Sequence, residues 1–94
     1  MALRHIVLFR FHDGVDPASR EAATRLLRGL GGQPGILDWR VEISDDSRKG
    51  HVVAQNFLFE SQDAFQEFRK SDAHTATAGF MRTIADWWIA DFTD

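Results

Sequence analysis

Hydrophobic and polar residues alternate along four stretches of the chain, and this two-residue period predicts four β-strands. Residues 3–12 and residues 52–60 have large apolar side chains on both faces, whereas residues 37–43 have one polar face. The last strand spans residues 86–92. A strand that is apolar on both sides is covered on both sides. We therefore expect the first and third strands to be covered on both of their faces.

Helical spacing predicts a helix after the first strand. Asp16 and Pro17 are typical of a helix start, because the aspartate accepts hydrogen bonds from free N–H groups and proline has no N–H to lose there. The apolar positions that follow at helical spacing are Ala18, Ala22, Ala23, Leu26, Leu27 and Leu30. Two glycines, Gly31 and Gly32, are expected to end this helix.

A second helical region follows the third strand. Ser61 is expected to cap it, with Phe65 and Phe68 facing inward. A further helical segment follows a kink and covers approximately residues 71–82. The order of elements is therefore βαββαβ.

This order is typical of the ferredoxin-like α+β fold, in which a four-stranded antiparallel sheet has both helices on one face. The chain of 94 residues is long enough for one such domain, residues 1–94, with one core. The other sheet face stays bare, and the last strand presents Trp87 and Trp88 on opposite sides. Because a large bare apolar face implies a partner, we expect a homodimer in which two copies meet sheet against sheet about a two-fold axis.

Charge and pattern argue against nucleic-acid binding. The net charge is −3, so the chain lacks the basic surface that binds phosphates. The RNA-recognition fold is also βαββαβ, but the positions on its third strand that stack on bases correspond here to His51 and Val53. Stacking platforms need aromatic rings at these positions. We therefore predict that nucleic acid is not a partner.

The chain contains no cysteine, so neither a disulfide nor a thiolate nucleophile is possible. That composition fits a reducing compartment. The apolar run at residues 6–9 is too short to span a membrane, and it lacks the features of a signal peptide. We predict a cytoplasmic protein with no membrane partner.

His74 is the leading candidate for chemistry. It lies at the expected start of a helix, where the macrodipole disfavours the imidazolium, and the small residues around it leave room for a ligand. A neutral histidine is a usable general base at neutral pH. His5 shares a strand face with Val7 and Phe9, and it approaches the same space if that face meets the helices. The alternatives are structural: His74 caps a loop, or His5 is a core histidine.

The remaining candidates concern metal and ligand binding. His12 and His51 lie beside polar turns and are expected to be solvated. No pair of histidines has metal-ligand spacing on a helix and carboxylates do not cluster around them, so neither a metal nor another cofactor is expected. The residues predicted to contact a ligand are Val7, Phe9, Phe57, Phe68, Phe80, Trp87 and Ile89. The alternative is that these residues form a plain core. Alanines at inward helix positions either let the sheet and the helices close tightly on each other or leave a cavity for a small apolar molecule.

Three short segments resemble a known family. His5-Ile6-Val7-Leu8-Phe9-Arg10-Phe11 resembles the opening strand of the stress-responsive A/B barrel (Dabb) family. Ser71-Asp72-Ala73-His74 lies where the family often has a His-Pro-x-His segment, and Ile89-Ala90-Asp91-Phe92 resembles the family's closing strand. The resemblance implies a homodimeric α+β barrel with a pocket between sheet and helices in each monomer. The related antibiotic-monooxygenase-like barrels share this topology.

The resemblance also implies roles for single residues. In the plant polyketide cyclases of the family, similar to olivetolic acid cyclase, a histidine at the position of His74 catalyses an aldol-type ring closure. A histidine at the position of His5 and a tyrosine on the preceding helix assist it. That tyrosine position falls at Phe68, and the chain has no tyrosine. Ser71 and Asp72 replace the first histidine and the proline of the family segment. The pocket therefore lacks a hydroxyl on which the cyclases depend.

The sequence thus predicts a homodimeric A/B barrel that binds a small apolar or aromatic molecule between sheet and helices. If the protein is an enzyme, His74 is its general base and His5 orients or polarises a carbonyl. Phe68 and Trp87 would then shape the pocket. Proton abstraction next to the carbonyl, leading to cyclisation or isomerisation, is the reaction class that the family resemblance implies. Two alternatives stay open: a non-enzymatic, stress-linked dimer with a closed core, and a cofactor-free oxygenase of the related barrel type.

Overall fold

The computed structural model describes residues 1–94. Its elements are β1 (Leu3–Phe11), α1 (Pro17–Gly29), a 3-10 turn (Leu30–Gly32), β2 (Ile36–Ile43), β3 (Val52–Phe59), α2 (Gln62–Lys70), α3 (Asp72–Ile84) and β4 (Ala85–Thr93). The four strands form one antiparallel sheet in the order β2-β3-β1-β4. This is the ferredoxin-like βαββαβ topology, so the predicted fold class is confirmed.

Polar side chains cap the helices at the residues that the sequence predicts. Oδ1 of Asp16 accepts a hydrogen bond from the Ser19 N–H at 2.7 Å, which starts α1. Oγ of Ser61 accepts from the Ala64 N–H at 3.0 Å, which starts α2. Each cap satisfies a donor that the first helical turn would otherwise leave unpaired. None of the helices is both long and apolar enough to cross a membrane.

The end of α1 lies earlier than predicted. The α-helix stops at Gly29, and the chain tightens into a 3-10 turn that includes Gly31. Gly31 packs directly under the indole of Trp39, where an added Cβ would lie 2.1 Å from Cδ2. The glycine is therefore needed for the close approach of this turn to β2, in addition to ending the helix.

The core lies between the helices and one face of the sheet. Alternate residues of β1 and β3 point into it because side chains alternate along a strand. The buried core residues of these two strands are Leu3, Val7, Phe9, Phe11, Val53, Phe57 and Phe59. The helices cover them with Ala23, Leu27, Phe65, Phe68 and Met81. The face of β1 that holds His5 therefore meets the helices, as the functional hypothesis requires.

The second strand is less buried than its pattern predicts. Only Val41 of its alternating apolar residues is buried, whereas Leu37 and Ile43 are each 60% exposed. The reason is that β2 lies at the edge of the sheet and has a neighbour on one side only. Leu26 also departs from expectation, because it lies on the solvent side of α1 and is 44% exposed.

The sheet face opposite the helices is uncovered in the monomer. Large apolar residues on it remain accessible: Leu8 is 45%, Phe92 48% and Trp88 60% exposed. Leu8 and Trp88 lie directly opposite each other in the β1–β4 pair, so they form one continuous patch. This patch is the bare apolar face that the sequence predicts.

Candidate functional site

A cavity of about 290 Å³ lies between the sheet and the helices. The sheet lines it with His5, Val7, Phe9, Gln55, Trp87, Ile89 and Asp91. The helical segments line it with Leu27, Leu30, Phe65, Arg69, His74, Thr77, Ala78, Met81 and Arg82. Both candidate catalytic histidines therefore reach one cavity. Its volume is at the lower end of small-molecule pockets, roughly 300–1,000 Å³, and suits a molecule of one or two rings.

The cavity has two chemically different ends. His5, His74 and Asp91 form the imidazole end, and Phe9 and Trp87, whose ring centroids are 5.6 Å apart, form the indole end. The two ends lie apart because α3 continues directly into β4. The start of α3 therefore lies over the C-terminal end of β4, and the end of α3 lies near the start of β4.

His5 is paired with a carboxylate. Its Nδ1 lies 2.5 Å from Oδ1 of Asp91, and the imidazole side chain is 7% exposed. This carboxylate is not among the residues that the sequence predicts for the site. The physical reason is the register of the sheet, because β4 runs antiparallel beside β1 and places Asp91 opposite His5. The pairing leaves Nε2 of His5 as the nitrogen that is free to meet a ligand.

His74 lies at the first turn of α3, against the end of α2. Oγ of Ser71 accepts from its backbone N–H at 3.1 Å, and its ring packs against Phe68 with 5.0 Å between centroids. Burial lowers the pKa of His74 from its ordinary value, and the positive charges of Arg69 and His5 lower it further, while a backbone hydrogen bond to Arg69 opposes the shift. The direction agrees with the sequence prediction, but burial rather than the helix dipole is the main cause.

The two imidazoles therefore differ in the chemistry they can perform. The lowered pKa keeps His74 neutral at pH 7, so it is able to accept a proton. Asp91 accepts from Nδ1–H of His5 and fixes the orientation of that ring, as a carboxylate does beside a catalytic imidazole. The two rings therefore present different groups to the cavity, Nε2 from His5 and a proton-accepting imidazole from His74.

The predicted ligand-contact residues divide into two groups. Four of them, Val7, Phe9, Trp87 and Ile89, line the cavity. Phe57, Phe68 and Phe80 do not belong to its wall. Phe57 and Phe68 are buried core residues whose rings pack 5.9 Å apart, and Phe80 packs against the outside of that core.

Several polar wall residues are not among the predicted site residues. Gln55 lies on the inward face of β3 between Val53 and Phe57, and a polar residue in that position is itself a signal of a lined cavity. Thr77 and Arg82 share a helix face with His74 at spacings of three and eight residues. With His74 as a site residue, this spacing by itself predicts Thr77 and Arg82 as further wall residues.

The other two histidines lie outside the cavity wall. Nε2 of His12 lies 3.2 Å from Oδ1 of Asp86, and both side chains are well exposed. His51 is exposed beside the β2–β3 turn. No group of three or more His, Cys, Asp or Glu side chains is arranged to hold a metal ion.

Comparison with known sequences gives two matches that span almost the whole chain. A family model described as the stress-responsive A/B barrel domain matches residues 3–94. An uncharacterized protein of Streptomyces coelicolor is 32% identical over 94 residues, which cover 96% of this chain and 97% of that protein.

Solved structures share the fold. A dimeric ferredoxin-like protein of unknown function from Thermobifida fusca has a TM-score of 0.88 at 22% identity, over 100% of this chain and 92% of that one. The cofactor-independent oxygenase SnoaB of Streptomyces nogalater has a TM-score of 0.76 at 19% identity, over 99% and 92%. A hydroxynitrile lyase from Passiflora edulis has a TM-score of 0.80 at 18% identity, over 97% and 91%. At these identities the likeness establishes the fold alone.

Proposed function

The chain belongs to the stress-responsive A/B barrel domain family, and on that premise we propose that it is a homodimeric enzyme that moves a proton next to the carbonyl of a small aromatic or apolar molecule. The observation that carries the proposal is the cavity whose wall holds both His5 and His74. A closed core would favour the non-enzymatic alternative, and the cavity argues against it. The reaction class is the one that the family resemblance implies, and the two imidazoles in the cavity wall support it.

The apolar wall supports an aromatic or apolar ligand. Trp87 and Phe9 form one end of the cavity, and Val7 and Ile89 continue the apolar surface towards the imidazoles. A ring that enters the indole end gains edge-to-face or offset contacts with these aromatic side chains. The carbonyl of such a molecule then lies towards the imidazole end, where the polar groups are.

The proposed step uses both imidazoles. The neutral ring of His74 takes a proton from the carbon next to the carbonyl, and the electron pair of that C–H bond moves to form an enolate. In this step His5 acts as the imidazolium: its Nε2–H donates a hydrogen bond to the enolate oxygen, and its Nδ1–H donates to Asp91. The imidazolium of His74 then delivers the proton to a different carbon of the conjugated enolate, which isomerises the substrate. Alternatively, the enolate carbon attacks a second carbonyl of the same molecule, and the imidazolium of His74 protonates the alkoxide that forms as the ring closes.

Named neighbours of the same fold perform other reactions. One is a cofactor-independent oxygenase and another a hydroxynitrile lyase. An oxygenase needs dioxygen, whereas the proton transfer proposed here needs no co-reactant. Assays under nitrogen therefore separate the two functions.

The direct test is exchange of the α-protons of 2-tetralone, a two-ring ketone, in D₂O under nitrogen. We expect the wild-type protein to accelerate the exchange seen by NMR, and His74→Ala to reduce the acceleration at least about 100-fold, the usual contribution of a general base. His51→Ala is the matched control, because His51 is an exposed histidine outside the cavity wall. Wild-type exchange no faster than buffer, or full activity in His74→Ala, would contradict the proposal.

The homodimer is supported by the open sheet face. Leu8, Trp88 and Phe92 leave an apolar patch that burial between two copies would remove from water. The helices and the cavity lie on the opposite side of the sheet, so a sheet-to-sheet dimer leaves both cavities intact. The Thermobifida fusca neighbour is a dimeric protein.

A further inference from the structure

We propose that the ligand of this cavity is an aromatic carboxylate whose negative group is bound by Arg69, an inference that rests on the proposed function and specifies its substrate class. Arg69 is the next-to-last residue of α2 and lines the cavity while remaining exposed. A side chain that is both exposed and part of the wall lies at the rim. Arg69 is therefore placed to meet a ligand as it enters.

The charge of the cavity wall is opposite to that of the whole chain. The wall contains two guanidinium groups, Arg69 and Arg82, and one carboxylate, Asp91, which is already paired with His5. The chain as a whole has a net charge of −3. A locally positive wall in an acidic protein concentrates small anions at the cavity. A neutral ligand would give no reason for this placement.

Neither wall arginine has a carboxylate partner, a property that they share only with Arg20, whose guanidinium donates instead to the Val15 carbonyl at 2.8 Å. The arginines that form ion pairs within 4.0 Å are Arg4, Arg10, Arg25, Arg28, Arg40 and Arg48. Arg69 and Arg82 form none. The guanidinium of Arg69 instead lies 5.8 Å from the centroid of the Phe65 ring, which holds it against the cavity wall. Its donors remain available for the two oxygens of a carboxylate, a geometry that guanidinium matches.

Arg69, rather than Arg82, lies at the imidazole end. Its guanidinium lies against the Phe65 ring, and the centroid of that ring lies 4.7 Å from the centroid of the His5 ring. Arg82 lies eight residues beyond His74 on α3, roughly 12 Å from it along the helix axis. When the ligand's carboxylate binds Arg69, the aromatic part of the ligand therefore points towards Phe9 and Trp87. The same placement brings a carbonyl next to the carboxylate between the two imidazoles.

The test compares two probes of equal shape, 2-naphthoate and its neutral amide 2-naphthamide, by calorimetry at pH 8. We expect the wild-type protein to bind the carboxylate at least about tenfold more tightly than the amide, since a hydrogen bond to a charged group is worth about a factor of ten or more. Arg69→Gln is expected to abolish this preference and to leave amide binding unchanged. Lys70→Gln is the matched control, because it removes the same charge from the neighbouring residue of α2, which is outside the cavity wall and pairs with Glu67.

The outcomes distinguish this inference from the function on which it rests. Equal wild-type affinity for the two probes, or a preference that survives in Arg69→Gln, would overturn the role of Arg69. So would a preference that is lost in Arg82→Gln instead. In each of these cases, binding of the amide would still support a small-molecule cavity. If neither probe binds the wild-type protein, both the inference and the proposed ligand class are wrong.

Discussion

Replacing Asp91 by asparagine tests whether the charge beside His5 contributes to catalysis. Asparagine keeps the size of the side chain and an oxygen that accepts from Nδ1–H, so the ring orientation is retained while the negative charge is lost. The carboxylate lies 2.5 Å from Nδ1, His5 is 7% exposed and Asp91 is 33% exposed. A hydrogen bond to a charged group contributes about 1.5–3 kcal/mol. The partial exposure of Asp91 places the effect near the lower limit, because solvent screens the pair.

A loss of about 1.4 kcal/mol in the transition state corresponds to a rate about tenfold lower. We therefore expect Asp91→Asn to exchange 2-tetralone protons about tenfold more slowly, with the affinity for the ketone unchanged. Asp86→Asn is the matched control, because Asp86 is on the same strand, lies 3.2 Å from His12 and is outside the cavity wall. A wild-type exchange rate in Asp91→Asn would refute the role of the charge, as would an equal loss in Asp86→Asn.

Burial lowers the pKa of His74 below its ordinary 6.5. The base therefore stays deprotonated until the pH falls through that lowered value, and we expect the exchange rate to stay high down to the same pH. An acid limb of the pH–rate profile at or above pH 6.5 would contradict this. Met81→Ala empties a fully buried position, and we expect a loss of about 2–5 kcal/mol in the free energy of unfolding by urea; a loss under about 1 kcal/mol would mean that the core is not packed around Met81. Trp88→Glu puts a charge on the open sheet face and is expected to give a monomer in sedimentation at micromolar concentration. Ile43 and Trp88 are each 60% exposed, yet Ile43→Glu should leave the dimer intact. Dissociation of the dimer by both variants, or by neither, would argue against this interface.

The fold was predictable because its signals are local. The two-residue period of residues 3–12 places His5, Val7 and Phe9 on one strand face, and a strand has only two faces to choose between. Capping by Asp16 and Ser61 depends on residues three positions away, so the helix starts were also accessible from the sequence.

The site was predictable only in part because its contacts are distant in sequence. Asp91 is separated from His5 by 86 residues, and only the strand order and register bring them together. No local pattern distinguishes Phe57, which is buried core, from Phe9, which lines the cavity. The cytoplasmic location and the limits of the domain remain predictions.

A crystal structure of the protein with bound 2-tetralone shows directly whether the two imidazoles meet a carbonyl. We expect the ketone in the cavity between sheet and helices, with its aromatic ring against Phe9 and Trp87. Its carbonyl oxygen should lie within hydrogen-bond distance of Nε2 of His5, and its α-carbon should face His74. A ketone bound on the open sheet face, or bound in the cavity with its carbonyl away from both imidazoles, would contradict the proposed mechanism.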